Sequence, residues 1–212
     1  MDATDRARPR KERSARAPRR PAAAAEITQP LYQLRIWLMD SEPAIWRRLL
    51  VPGSVRLSVL HEIIQEAMGW SNSHLHEFAV GDTSYSDPEF ELQEDDPEVE
   101  DEAKVRLREA APSEGDWFLY RYDFGDGWEH QIVVERILPP VPKQRKIAVC
   151  LAGARACPPE DCGGIGGYMD FLEAIRDPSH ERHEELREWI GGDFDPEAFD
   201  VNRVNHGLKG IK

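Results

Sequence analysis

The chain has 212 residues, 40% hydrophobic and 32% charged, enough for one sizeable core. No window approaches the roughly 18 to 20 continuous apolar residues of a membrane span, and Met1–Arg20 lacks the apolar run of a secretory signal, so neither a membrane nor a secreted protein is expected. Residues 1–25 carry eight basic groups against three acidic ones, so the net charge of −13 leaves −18 on the rest, and an acidic body of that kind repels nucleic-acid phosphate.

The first 28 residues are rich in Arg, Pro and Ala and hold no aromatic residue. They cannot bury enough apolar surface to offset chain entropy and read as a disordered basic tail. Any weak contact with nucleic acid belongs to residues 1–25; a merely solubilising extension is the other reading. Residues 29–212 read as a single domain.

That domain opens on Leu31–Met39, where Tyr32, Leu34, Ile36 and Leu38 share one face at period two, a half-buried strand. Ser41-Glu42-Pro43 turns the chain into a partner strand over Ala44–Val51, closed by Pro52-Gly53. A helix follows, with Ser58 as its expected N-cap, a stripe of Leu60, Ile63, Ile64, Ala67 and Met68, and a stop at Gly69. His74–Val80 alternates as a strand, and Gly81–Glu102, with eleven acidic residues, reads as a solvated loop with a short strand near Tyr85.

Asp116–Asp123 and Trp128–Leu138 form the clearest hairpin, joined by the turn Phe124-Gly125-Asp126-Gly127. A short strand is expected at Ile147–Leu151. Helices follow at Gly167–Arg176 and Ser179–Ile190, with a short piece around Pro196–Val201. Strands first and helices last predict an α+β fold, a mostly antiparallel sheet with helices packed on one face.

Two motifs carry candidate chemistry. The DFGDGWEH hairpin gathers Asp123, Asp126, Glu129 and His130, which could bind a divalent metal or handle protons at a strand end, or could be turn structure alone. Along an extended strand, Trp128 and His130 share a face and Glu129 points the other way. The CPPEDCGGIGGY segment presents Glu160 and Asp161 side by side before Gly163, Gly164, Gly166, Gly167 and Tyr168, where a helix begins. Its glycines suit close backbone approach, and its free amides suit an anion; a loop-to-helix connection capped by Glu160 or Asp161 is the simpler reading. Asp123, Asp126, His130, Glu160 and Asp161 are therefore candidate catalytic groups, and the glycines with Tyr168 are candidate ligand contacts.

Cys150, Cys157 and Cys162, with His76 or His130, are a further candidate set for zinc, although no CxxC pair exists. An odd, low cysteine count argues against a disulfide framework and fits a reducing cytoplasm. His74 and His76, two apart on an expected strand, form a candidate metal edge on one face.

Three blocks taken together, AMGWSNSHLHEF over Ala67–Phe78, YDFGDGWEH over Tyr122–His130 and GARACPPEDCGGIGGY over Gly153–Tyr168, resemble the plasmid Orf-three-like family first named from a Ri-type plasmid. The match runs from about Tyr32 to Asn205. The resemblance implies an α+β fold, an association with mobile elements and a cytoplasmic bacterial or archaeal setting, and it implies no particular reaction. Three functions stay open: an accessory module meeting a protein or small ligand, a metal-dependent hydrolase-type enzyme, and nucleic-acid binding through the tail. The enzyme reading requires the two motif loops to bring their carboxylates and His130 within about 5 Å of one point.

Overall fold

A computed structural model describes residues 29–90, 99–140 and 148–211. The expected basic tail and the centre of the acidic loop lie outside these residues. The described chain runs β1 (Leu31–Leu38), β2 (Trp46–Pro52), α1 (Leu57–Met68), β3 (His76–Val80), β4 (Thr83–Ser86), β5 (Glu100–Asp101), α2 (Leu107–Ala110), β6 (Trp117–Tyr122), β7 (Trp128–Leu138), β8 (Val149–Ala154), α3 (Gly164–Arg176), α4 (His183–Trp189) and α5 (Val201–Gly207). Among the described residues no helix is long and apolar enough to cross a membrane.

The strands form one sheet in the order β5-β4-β3-β6-β7-β1-β2-β8, antiparallel throughout except for β4 with β5. Period-two alternation divides its faces. Leu34, Ile36, Leu49, Phe78, Phe118, Tyr120 and Ile132 are buried on one face, where α1 lays its own stripe of Leu60, Ile63, Ile64, Ala67 and Met68. The other face mixes ion pairs, including Arg48 with Glu135 and Arg121 with both Glu77 and Glu129, with half-buried Trp37 and Trp46, over which Arg35 and Arg48 lie, and with Trp117, which is 57% exposed. The architecture is the expected α+β sheet covered on one side.

Several boundaries differ from the sequence reading, each for a tertiary reason. Helix α1 starts at Leu57, so Ser58 lies inside it and caps nothing. Its first amide is instead satisfied by the Val105 carbonyl, brought in by a bridge between Arg56 and Arg106. Strand β3 begins at His76, leaving His74 in the preceding loop. The last α-helix is α5, capped by the Asp200 carboxylate accepting from Asn202 and Arg203 amides, in place of the piece expected at Pro196–Val201. Asn205 on α5 bonds both backbone groups of Cys150, which ties the helix to the sheet edge at β8.

Arg47 shows how the core accepts a charge. It is 3% exposed, yet its guanidinium donates to the carbonyls of Ala67, Trp46 and Ala154 and lies over the Phe199 ring. It thus satisfies the C-terminal end of α1.

Candidate functional site

Three loops meet at one end of the sheet. The first, Trp70–Leu75, follows α1. The second is the Asp123–Gly127 hairpin between β6 and β7. The third, Arg155–Gly163, leaves β8 at the far edge of the sheet and returns to the β6 end before α3. Trp70 fixes the third loop to the first: its indole donates to the Pro158 carbonyl and its ring stacks on Tyr122 at 5.0 Å.

Glu160 completes the clamp. Its carboxylate accepts from the amide and hydroxyl of Ser71 and from the Tyr122 hydroxyl. Burial raises its pKa, but the hydrogen bonds from Ser71 and Tyr122 outweigh that and hold it below the usual range. Burial, and then the bond to Glu160, push the Tyr122 phenol far up, so it remains a donor. Both Glu160 oxygens are committed, which makes this residue a clamp between loops rather than a free base.

Beside the clamp stand His74, Asp123 and Asp161, one from each loop. Their ligand atoms all lie within 4.8 Å of one another. His74 Nε2 is 3.2 Å from Asp161 Oδ1 and 3.6 Å from Asp123 Oδ2. Two ligands about 2.0–2.1 Å from a tetrahedral metal lie roughly 3.3 Å apart, close to both separations. His74 Nε2 is a buried atom that forms no hydrogen bond despite these neighbours.

Local structure aims these groups. Asp123 and Asp161 both adopt left-handed backbone, φ 56° and 61°. Asp123 Oδ1 accepts from the amides of Gly125 and Asp126, which leaves Oδ2 to face His74. His74 is set by Asn72, itself at φ 57°, whose side chain bonds His61 and whose amide donates to Gln65. The loop carrying His74 is therefore pinned from the core.

The glycine-rich start of α3 serves the same convergence. Asp126 Oδ2 accepts from the Gly163 amide, so the protein places its own carboxylate at this helix N-terminus, where an outside anion was one expectation. A Cβ at Gly164 would meet the Asp126 carbonyl at 2.4 Å, and one at Gly167 would meet the Cys162 carbonyl at 1.9 Å. Gly166 faces open space. Tyr168 is buried, and its phenol is pushed up to about 12, chiefly by that burial, so it belongs to the core rather than to a ligand surface.

Two of the five candidate catalytic groups, Asp123 and Asp161, thus share one point, with Asp126 and Glu160 holding the loops. His130 stands apart. It is fully buried between Tyr120 and Trp70, its Nδ1 is bonded to the Tyr120 carbonyl, and desolvation lowers its pKa to about 4. The requirement that His130 join the carboxylates is not met; His74 occupies that place. His76 turns into the core, where it bonds Glu102 and stacks on His61, so His74 and His76 make no shared metal edge.

The cysteines form no ligand set among the described residues, where the cluster of His74, Asp123 and Asp161 is the one group of three or more metal-ligating side chains. Burial raises the Cys157 and Cys162 thiols, the latter to about 12, which opposes the thiolate a metal needs. Sequence reading selected the loops but not their meeting with His74, Tyr122 and Ser71. The sequence singles out His74, but as half of a metal edge with His76 rather than as a partner of Asp123 and Asp161.

Known proteins resemble this chain in sequence and fold. A relative from Sinorhizobium fredii, the uncharacterised protein y4hQ, is 45% identical over 178 residues, covering 83% of this chain and 89% of that protein. A crystal structure of a protein of unknown function, MM3350 of Methanosarcina mazei, superposes with a TM-score of 0.74 at 35% identity, covering 84% of this chain and 99% of that one. Residues 30–203 match the profile of the plasmid pRiA4b ORF-3-like proteins, and the chain belongs to that family.

Proposed function

We propose that His74, Asp123 and Asp161 bind a divalent metal ion and that the three-loop site acts on a small ligand through it. The carrying observation is the geometry: one imidazole nitrogen without a hydrogen bond faces two carboxylate oxygens at separations close to a metal's coordination edge. One nitrogen and two oxygens suit zinc, manganese or iron(II). Three protein ligands leave coordination positions open, the mark of a catalytic rather than a structural site, and a metal so held supplies an activated water for hydrolysis. Asp161, with its side chain 72% exposed, forms the open side.

We further propose that residues 29–212 make up a single domain and that the protein works in a reducing cytoplasm, which its free cysteines fit. Nucleic-acid contact through residues 1–25 would disappear on their deletion and fall steeply with salt.

Titration of the purified protein with Zn²⁺ and Mn²⁺, followed by calorimetry, tests the metal reading. One saturable site is expected in the wild type and in a Cys150→Ala, Cys157→Ala, Cys162→Ala variant, and none in Asp161→Ala. A site lost with the cysteines and kept in Asp161→Ala would overturn the reading.

A further inference from the structure

A cavity of about 350 Å³ opens beside Asp161, at the low end of the range for small-molecule sites. Phe171, Leu186 and Trp189 make its apolar wall, with Phe171 and Trp189 edge to face at 5.8 Å. Trp189 is 46% exposed, an indole left open to solvent in the lining of this cavity. The polar lining is Asp161, Asp170, Glu185 and Arg182.

The charge balance of this lining is acidic, three carboxylates against one guanidinium. That guanidinium is already engaged, because Arg182 donates to both oxygens of Glu185. An incoming carboxylate or phosphate would meet the acids and find no free cation. A neutral apolar ligand would use the aromatic wall alone and make no use of the Asp170 carboxylate. A cationic head on an alkyl stem matches every wall: the stem lies along Leu186 and Phe171, the charge sits over the indole face and beside Asp170. The net charge of −18 on the body raises the local concentration of such cations.

We propose that this cavity binds an alkyl-ammonium or alkyl-guanidinium group, with Trp189 and Asp170 as its recognition residues. Its assignment as the substrate pocket of the metal site rests on the metal reading above, since Asp161 borders both. Recognition of the cation itself does not.

Agmatine, which carries a guanidinium and an ammonium on one butyl stem, is the probe. It would be titrated calorimetrically into the full chain, with and without Mn²⁺, beside glutarate as anion and butanol as neutral control. Saturable agmatine binding is expected, weakened about tenfold or more in Trp189→Leu and in Asp170→Asn, with neither control binding in the absence of Mn²⁺. Both positions are exposed, and matching urea unfolding curves establish that the variants fold. A capped arginine tripeptide binding tighter than agmatine assigns the group to a polypeptide; the reverse assigns it to a small amine. No agmatine binding by the wild type, or equal binding by Trp189→Leu, overturns the inference. Agmatine binding by a protein that takes up no Mn²⁺ leaves the cation pocket standing and removes the metal reading alone.

Discussion

His76 and His74 are two residues apart, and they illustrate two uses of one side chain. His76 lies in the core against His61, ring centroids 3.4 Å apart and nearly parallel, with Nε2 on the buried Glu102 carboxylate. His61 bonds Tyr120 through Nδ1 and Asn72 through Nε2. His74 stands in a loop with its Nε2 facing Asp123 and Asp161. His76 Nδ1 and His130 Nε2 also lack hydrogen bonds, but their surroundings are aromatic: Phe78, Phe90 and Tyr120 for one, Trp70 and Tyr120 for the other. An unpartnered nitrogen against rings is a cost of about 1–3 kcal/mol that packing absorbs, whereas one against two carboxylates is a place for a cation. What the free nitrogen faces, rather than burial, separates core from site.

The loop half of this comparison is broken hardest at Gly167. Ala there would drive its Cβ into the Cys162 carbonyl, a backbone atom that cannot swing away. We expect Gly167→Ala to cost about 3–5 kcal/mol and to abolish metal uptake, because Cys162 adjoins Asp161. Near wild-type urea unfolding would show that the loop is looser than its geometry implies.

The core half responds to acid. Burial lowers the pKa of His61 to about 3, with His76 adding to the effect, and that of His130 to about 4. The unfolded chain binds their protons near pH 6.5, so between roughly pH 6.5 and 4 it holds protons the folded state refuses. Stability is therefore full above pH 6.5 and is lost as pH falls. At about 1.4 kcal/mol per unit, each histidine contributes on the order of a few kcal/mol across that window. Urea unfolding from pH 7.5 to 4.5 should show a shallower fall in His61→Gln than in wild type; parallel curves would contradict neutral burial of His61.

The clamp between the halves gives the smallest effect. Tyr122→Phe leaves Glu160 with one fewer donor and removes the acceptor of the Ser73 amide. A cost of about 1–3 kcal/mol is expected, with metal affinity down about tenfold as the loop carrying His74 loosens. Unchanged affinity in the calorimeter would show that the clamp does not position His74.

Much of the fold was legible because its signals are local. Alternation in β1, β6 and β7 and the stripe of α1 are visible in short windows. The start of α1 and the position of α5 were not, since Val105 and Cys150, far off in sequence, decide them. The site divides in the same way. Both motif loops announce themselves by glycine, proline and paired acids, but that Asp161 reaches Asp123 depends on the third loop crossing back from the far edge of the sheet. His130 carried its own correction: period two sets it on the face of Trp128, and a face that buries Trp128 completely buries His130 as well.

The most direct test of the account compares two histidines by one calorimetric metal titration. His74→Ala should lose the divalent site while staying within about 1 kcal/mol of wild-type stability, since His74 is not a core residue. His130→Ala should lose about 2–4 kcal/mol of stability and keep the site. Metal bound by His74→Ala as by wild type, or lost in a folded His130→Ala, would contradict the assignment of the site to the three loops.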